Sequence, residues 1–356
     1  MPESPFERWT NRAVFAARQT GRVAWYAGHG AVMRRMVRRL EAQSGLPKRV
    51  VKKPSRPVPN MRRLLADVAA LLARDLANIE AGYYPLPEGE DGALAGVIAR
   101  SRAFFRDVPE VVRRRRSGVA DEVANAAQAS RPDYYMQNFH FQSGGWMTDE
   151  SARLYDMQVE VLFSGAANAM RRQALAPIAE HLRGRDQRTV AFADIACGPG
   201  TFLRQVRQAF PRLPALAIDL SEPYLAEARR RLGSRLNVHA VVAKAEALPL
   251  ADESLDIATC IFLFHELPPE LRRIVAAEAA RVLKPGGLFI FIESLQTGDE
   301  PDYDGLLELF PALFHEPYYE SYLAEDLDAL FDAAGFRVEG KTNAFLAKVL
   351  TLRRTH

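Results

Sequence analysis

Apolar residues in the first half of the chain recur at helical spacing. "MRRLLADVAALLARDLANIEAG", residues 61 to 82, carries an apolar stripe and stops at Gly82, which predicts an amphipathic helix. "ALAGVIARSRAFFRDV" and "DEVANAAQAS" continue the pattern, and Pro132 interrupts it ahead of the aromatic stretch "YYMQNFHFQSGGWM". Further helix is expected from about Asp149 to Arg183, with a break or kink at Pro177. From about residue 188 the rhythm changes. Short apolar runs ("TVAFADIA", "PALAID", "NVHAVVA", Ile257 to Phe262, "LFIFIE") alternate with helical ones ("FLRQVRQAF", "SEPYLAEARRRLG", "PELRRIVAAEAARVL"). Strands and helices in that alternation imply parallel strands joined by crossovers, so the expected class is α/β with a doubly wound sheet. The last two runs, "FRVEG" and "AFLAKVLTL", are separated by only a short turn, which predicts a hairpin and one antiparallel edge strand. Three segments follow: a basic helix and linker over 1–60, a helical cap over 61–187 and a catalytic domain over 188–356.

Charge sharpens the first of these. Residues 1–60 hold thirteen Lys or Arg against three Asp or Glu, whereas the rest of the chain is net acidic. Met33, Met36, Val37 and Leu40 fall on one side of a helix and Arg34, Arg35, Arg38 and Arg39 on the other, a layout suited either to peripheral contact with an anionic membrane or to packing with a solvated basic face. Residues 46–60, "LPKRVVKKPSRPVPN", read as a linker or extended arm. An acidic remainder without a continuous basic stripe argues against nucleic acid as substrate. No apolar run reaches the roughly 18 residues of a membrane span, and the start lacks the basic-then-apolar order of a secretory signal, so a cytoplasmic protein is expected. Two cysteines, Cys197 and Cys260, provide no disulfide framework or zinc pattern and are expected to be packing residues.

In a doubly wound sheet the ligand sits above the carboxyl ends of the strands, beside the first one. There the sequence reads "ADIACGPGTFL", with Asp194, Gly198, Pro199 and Gly200, and Asp219 stands at the tip of the next strand. Glycines admit a tight turn and a close ligand, and the carboxylate can accept from both hydroxyls of a ribose. Dinucleotides and adenosyl compounds both meet these requirements. A dinucleotide turn asks for a third glycine, where this chain has Leu203.

With "AIDLSEPYLAEAR", "AKAEALPLADESLDIATC" and "RVLKPGGLFIFIE" following in order, residues 188–352 resemble class I S-adenosylmethionine-dependent methyltransferases, a Rossmann-like seven-stranded fold. The resemblance implies that Asp194 and the backbone of Ala196, Cys197, Gly198 and Gly200 hold the methionine end of S-adenosylmethionine. It implies that Asp219 binds the ribose, that Leu220 packs on the adenine, that Ala245 and Glu246 border its edge, and that Cys260 and Ile261 lie below the sulfonium. Lys244 stands where relatives have an acid. An ammonium only donates, so the adenine amino group is expected to be served by backbone or by Glu246. The segment from Pro132 to Leu175 is similar to the region before the cofactor domain in bacterial and plant plastid methyltransferases that share a His-Glu-Leu-Pro tetrapeptide, present here as His265 to Pro268.

That tetrapeptide closes the apolar stretch "CIFLFHELPP", and its letters LFHE recur at Leu313 to Glu316. Alignment of the acceptor is the main task in methyl transfer, and an acceptor that sheds a proton also needs a base. His265 is the first candidate for base or orienter, or else it caps the next helix. Glu266 is its expected tautomer-fixing partner or a helix-start carboxylate. His315, near Tyr318, Tyr319 and Tyr322, and His140, between Phe139 and Phe141 and near Trp146, are the other candidates. Their aromatic neighbours suggest a small hydrophobic or aromatic acceptor. The three histidines come from distant segments without close ligand pairs, so no metal is expected. A nicotinamide-dependent oxidoreductase and a non-catalytic S-adenosylmethionine-binding protein docked on a membrane are the alternatives.

Overall fold

The computed structural model describes residues 5–43, 53–118, 131–233 and 237–356. The helix expected over 121–130 and the first part of the 46–60 linker lie outside them. Six helices come first: α1 (Pro5–Gln43), α2 (Met61–Glu80), α3 (Leu94–Ser117), α4 (Asp149–Leu162), α5 (Ala167–Arg172) and α6 (Leu175–Leu182). Then strands and helices alternate as β1 (Phe192–Ile195), α7 (Thr201–Ala209), β2 (Ala215–Asp219), α8 (Glu222–Leu232), β3 (Val238–Val242), β4 (Leu255–Ile261), α9 (Pro269–Val282) and β5 (Leu283–Ser294). The chain ends with α10 (Asp304–Leu313), α11 (Tyr319–Leu323), α12 (Leu327–Ala333), β6 (Phe336–Ala344) and β7 (Ala347–Arg354).

The seven strands form one sheet in the order β3-β2-β1-β4-β5-β7-β6, so the chain reverses direction across the sheet between β1 and β4. β1 to β5 are parallel, and β7 is antiparallel to both β5 and β6. The antiparallel strand therefore enters between β5 and β6 and is not the expected edge strand. Continuous apolar runs make this possible. Leu288 to Ile292 of β5 are wholly buried because helices cover both faces of a parallel sheet.

The helical segment is part of the same body. Val68, Leu71 and Tyr84 belong to the core cluster of the sheet. Met33, Met36, Val37 and Leu40 of α1 pack against a second cluster formed with α3 and α4, around Phe104, Val108 and Met157. The apolar stripe of α1 is thus covered, and Arg34, Arg35, Arg38 and Arg39 remain exposed. Pro177 does not break the helix after Asp149. It sits in the first turn of α6, where a missing N–H is harmless, and the break comes earlier, at Ser164 (φ +52°) and Gly165 (φ +84°). A side chain on Gly165 would stand 3.0 Å from the Arg22 carbonyl, so this glycine lets α1 pass close over the break. The arm after residue 52 lies against α10, where a Cβ on Gly305 would stand 2.1 Å from the Arg56 carbonyl.

A buried ionic network joins α1, α2, α4 and α5. Arg172 holds Asp75 at 2.6 Å and also pairs with Glu90, and Arg22 holds Glu160 at 2.9 Å and Asp91 at 2.5 Å. Burial pushes the Glu90 carboxyl up, but Arg172 and Arg22 outweigh it and hold the group at about 2. Asp75→Asn leaves the Arg172 guanidinium buried without its full counter-charge. Denaturant unfolding should show a loss of about 3–5 kcal/mol, while leucine at both 75 and 172 together with Glu90→Gln, which removes every charge Arg172 had paired, should recover much of it. Equal stabilities for the single and triple variants would contradict this account.

Candidate active site

The strand tips on either side of the reversal turn sharply. After β1 the chain passes through left-handed conformations at Ala196 (φ +57°), Gly198 (φ +55°) and Gly200 (φ +76°), and after β4 it does so at Phe262 (φ +59°). Left-handed backbone at an alanine and a phenylalanine is strained and persists only where packing enforces it. Between these tips and the tip of β2 lies a cavity of about 780 Å³. Asp219 ends β2 beneath it. One carboxylate oxygen accepts from Gly198 N–H at 2.8 Å and the other from Ser221 N–H at 2.7 Å, which leaves each oxygen a further acceptor position. Burial lifts this carboxyl to about 6, against the backbone donors that favour its charge.

Ala196, Gly198, Asp219, Leu220, Ala245, Glu246 and Ile261 line the cavity together. Asp194, Cys197, Gly200 and Cys260 do not line it. Asp194 is buried under the turn, accepts from Thr259 Oγ1 at 2.6 Å and is raised by burial to about 7. Cys197 and Cys260 are buried free thiols, and burial raises both well above the usual thiol range. The two glycines differ in purpose. A Cβ on Gly198 would meet nothing, whereas one on Gly200 would stand 2.9 Å from Ala228 Cβ, so Gly198 faces open space and Gly200 lets α7 approach α8. Glu246 accepts from Tyr134 Oη at 2.9 Å. The rest of the wall is aromatic: Tyr134, Tyr135, Phe139 and Trp146 from the helical half, with Tyr155 on α4 and Tyr224 on α8. Ser221 Oγ donates to the Trp146 carbonyl at 2.5 Å, fastening that half to the tip of β2. Tyr155 and Tyr224 escaped sequence reasoning because each reads as an ordinary apolar position of an amphipathic helix.

Behind this cavity lies a second, of about 610 Å³, with Phe163, Leu307, Phe310 and Tyr319 among its walls. Tyr155, Phe262 and Glu266 line both. His140 and His265 line the second, and His315 lines neither. His315 instead shares a hydrogen bond with Gln137 at 2.8 Å, and its carbonyl accepts from His140 N–H at 3.3 Å. The partner that sets the His265 tautomer is not Glu266 but Glu293, whose Oε1 is 2.6 Å from Nδ1, while Glu266 stands 3.8 Å from Nε2. Burial pushes the His265 imidazole down, but Glu293, with Glu316 and Glu266, outweighs it and lifts the group to about 10. Burial likewise raises Glu266 well above the carboxylate range. Glu293 thus favours the charged imidazole, which suits His265 to orienting a ligand by hydrogen bonding. Glu316 is fully buried at 2.5 Å from His140 Nε2.

A seven-stranded sheet in this order, with its cavity over the first and fourth strands, is the Rossmann-like methyltransferase architecture. Residues 192–287 match the family model described as a methyltransferase domain. Similar curated proteins include the "Ubiquinone/menaquinone biosynthesis C-methyltransferase UbiE" of Methylobacterium nodulans, 31% identical over 162 residues covering 45% of this chain and 62% of that protein. Another is the "Malonyl-[acyl-carrier protein] O-methyltransferase" of Methylococcus capsulatus, 38% identical over 98 residues covering 28% and 35%. Among solved structures, a SAM-dependent methyltransferase from Methanosarcina mazei is 20% identical with a TM-score of 0.41, covering 50% of this chain and 97% of that one. The chain spans less than two thirds of the length of the curated relatives. The matched segment is thus similar to a methyltransferase domain, and the relatives that resemble it are named as methyltransferases, for which S-adenosylmethionine is the methyl donor.

The two glycines should separate in unfolding experiments. Gly200→Ala combines the left-handed conformation with a clash and should destabilise by at least about 2 kcal/mol. Gly198→Ala meets no atom and should lose only about 1–2 kcal/mol from its backbone conformation. The reverse order would refute the packing role of Gly200.

Proposed function

We propose that the chain is a cytoplasmic methyltransferase that takes S-adenosylmethionine in the cavity over β1 and β4 and methylates a small, apolar, ring-bearing acceptor in the cavity behind. The observation that carries this reading is the charge of the first cavity. Asp219 and Glu246 line it, with Glu266 held toward its neutral form, and no Lys or Arg is among the described residues that do. A sulfonium with an amino-acid tail is cationic and suits such walls. A dinucleotide carries a diphosphate, which they would repel, so the oxidoreductase alternative loses ground on electrostatics as well as on Leu203.

S-adenosylmethionine supplies an activated methyl group on sulfur, and everything else falls to this chain's own residues. Asp219 would hold the ribose hydroxyls with the acceptor positions left free by Gly198 and Ser221. Leu220, Ala245 and Glu246 would flank the base, and Asp194 would support the turn that receives the methionine end. Cys260, behind the wall, can only pack there, whereas Ile261 would face the ligand. Phe262 and Tyr155, shared by both cavities, would exclude water between donor and acceptor. His265 would orient the acceptor by hydrogen bonding. The names of the relatives speak of C-methylation in ubiquinone and menaquinone biosynthesis and of O-methylation of malonyl-[acyl-carrier protein], and the apolar second cavity favours a ring-bearing acceptor for this chain. The aromatic segment and the His265 to Pro268 tetrapeptide further suggest kinship with the bacterial and plant plastid methyltransferases.

Calorimetry should find S-adenosylhomocysteine bound and NADH not bound; the opposite result would end this reading. Asp219→Asn should weaken the homocysteine ligand roughly tenfold to a hundredfold, the worth of hydrogen bonds to a charged group. Binding needs the ionised carboxylate, so affinity should be flat above about pH 6 and fall as the pH drops through about 6, where Asp219 takes up a proton. A second measurement addresses the chemistry. With cell extract and a labelled methyl donor, His265→Ala should lower incorporation into a small molecule by about a hundredfold through misplacement of the acceptor, while leaving S-adenosylhomocysteine affinity intact. Full activity in that variant would remove His265 from the reaction.

A further inference from the structure

Where the two cavities meet, His140, His265, Glu266 and Glu316 each offer one ligand atom, and these atoms all lie within 4.8 Å of one another. Donors about 2.0–2.2 Å from a shared ion stand roughly 3–4 Å apart, so a small contraction would close the set. The two LFHE stretches contribute unequally: His265 and Glu266 come from the first, only Glu316 from the second, and His140 takes the place that His315 leaves.

Three further features point to a cation. Glu316 is fully buried, and neither of its oxygens has a hydrogen-bond partner, although Oε1 is 2.5 Å from His140 Nε2. A buried carboxylate left without hydrogen bonds is costly unless something else satisfies it. Glu293 engages His265 Nδ1 at 2.6 Å and leaves Nε2 to face the cluster, where a bound ion would displace its proton, the arrangement by which a carboxylate orients a ligating imidazole. Finally, Glu266, Glu293 and Glu316 are gathered around two imidazoles, and among the described residues none of the three is in an ion pair with Lys or Arg.

We propose that His140, His265, Glu266 and Glu316 form a site for a divalent first-row transition ion, Zn²⁺, Fe²⁺ or Mn²⁺, at the junction of the two cavities. Two imidazoles with two carboxylates favour these over Mg²⁺ or Ca²⁺, which prefer oxygen alone. The ion would face the apolar cavity, where it can bind the oxygen of an acceptor hydroxyl whose proton passes to solvent. That points to an enol or phenol on an apolar ring as the acceptor class. The metal site stands on its own geometry, and only this last role rests on the methyl-transfer reading.

The full chain, purified without a histidine tag, is stripped with a chelator and reloaded separately with Zn²⁺, Fe²⁺ and Mn²⁺. Elemental analysis after desalting should find one equivalent of at least one of these ions in the wild type and little in Glu316→Gln or His140→Gln. Glu293→Gln, which only loosens the His265 ring, should weaken metal binding roughly 10- to 100-fold. S-adenosylhomocysteine affinity should be the same with and without metal. If the wild type retains no more of any of the three ions than the variants, the site is not a metal site, whatever the homocysteine ligand does. Metal retained without S-adenosylhomocysteine binding would leave the site standing and overturn methyl transfer instead.

Discussion

The cavity depends on a single carboxylate. Asp219 reaches from the tip of β2 to the N–H of Gly198 in the turn after β1 and to that of Ser221 at the start of α8. Two loops that belong to different βα units are thereby held at one spacing. The arrangement works because the carboxylate is only partly exposed, at the floor of the cavity: in open solvent water would satisfy the same N–H groups and the loops would lose their common anchor. Burial also has a cost, visible in the raised pKa, and an incoming pair of hydroxyl donors would offset it. Organisation of the strand tips and the acceptor positions turned toward the cavity are therefore properties of the same carboxylate.

Around that anchor the helical half supplies the walls. Ser221 fastens Trp146, Trp146 stacks with Phe139 at 5.8 Å, and Tyr155 and Tyr224 close the far side edge-on. These rings exclude water from a space whose charged lining residues, among those described, are all acidic, which strengthens every charge interaction inside it. A cation entering such a space gains more than it would at an exposed acidic patch. The buried Arg172 and Arg22 networks hold α1, α2, α4 and α5 together, so the aromatic walls borrow rigidity from ion pairs on the far side of the helical layer.

Much of this was legible in the sequence because it is local. The alternation of short apolar runs with helical ones leaves little choice but a parallel sheet, and the glycine turn with an acid at the next strand tip follows from chain order alone. What was hidden depends on distant residues. Glu293 reads as the polar end of an apolar strand, and only the pairing of β4 with β5 brings it to His265. The repeated LFHE invites the inference that both histidines do the same thing, yet the left-handed turn at His140 carries its ring to Glu316 and leaves His315 outside. Pro177 misled for a related reason. A proline signals a break only if the helix already runs through it, and here Gly165 had ended the helix earlier to let α1 pass.

Strain marks the junction between the cavities from both sides. Phe262 (φ +59°) leaves the sheet and His140 (φ +56°) leaves the aromatic segment, both in conformations that disfavour a side chain, and both line the second cavity. Each is fixed by well-packed neighbours. Phe262 N–H donates to the Ile292 carbonyl of β5 at 2.9 Å, while Phe139 and Phe141 on either side of His140 are buried and Asn138 Nδ2 donates to the Gln142 carbonyl at 2.9 Å. A relaxed backbone at either residue would turn its ring away from the cavity. The packing of two separate elements thus maintains an unfavourable conformation on each side, close to where the two cavities share their walls. Strain of this kind is retained where the position of a side chain matters more than the stability it forfeits.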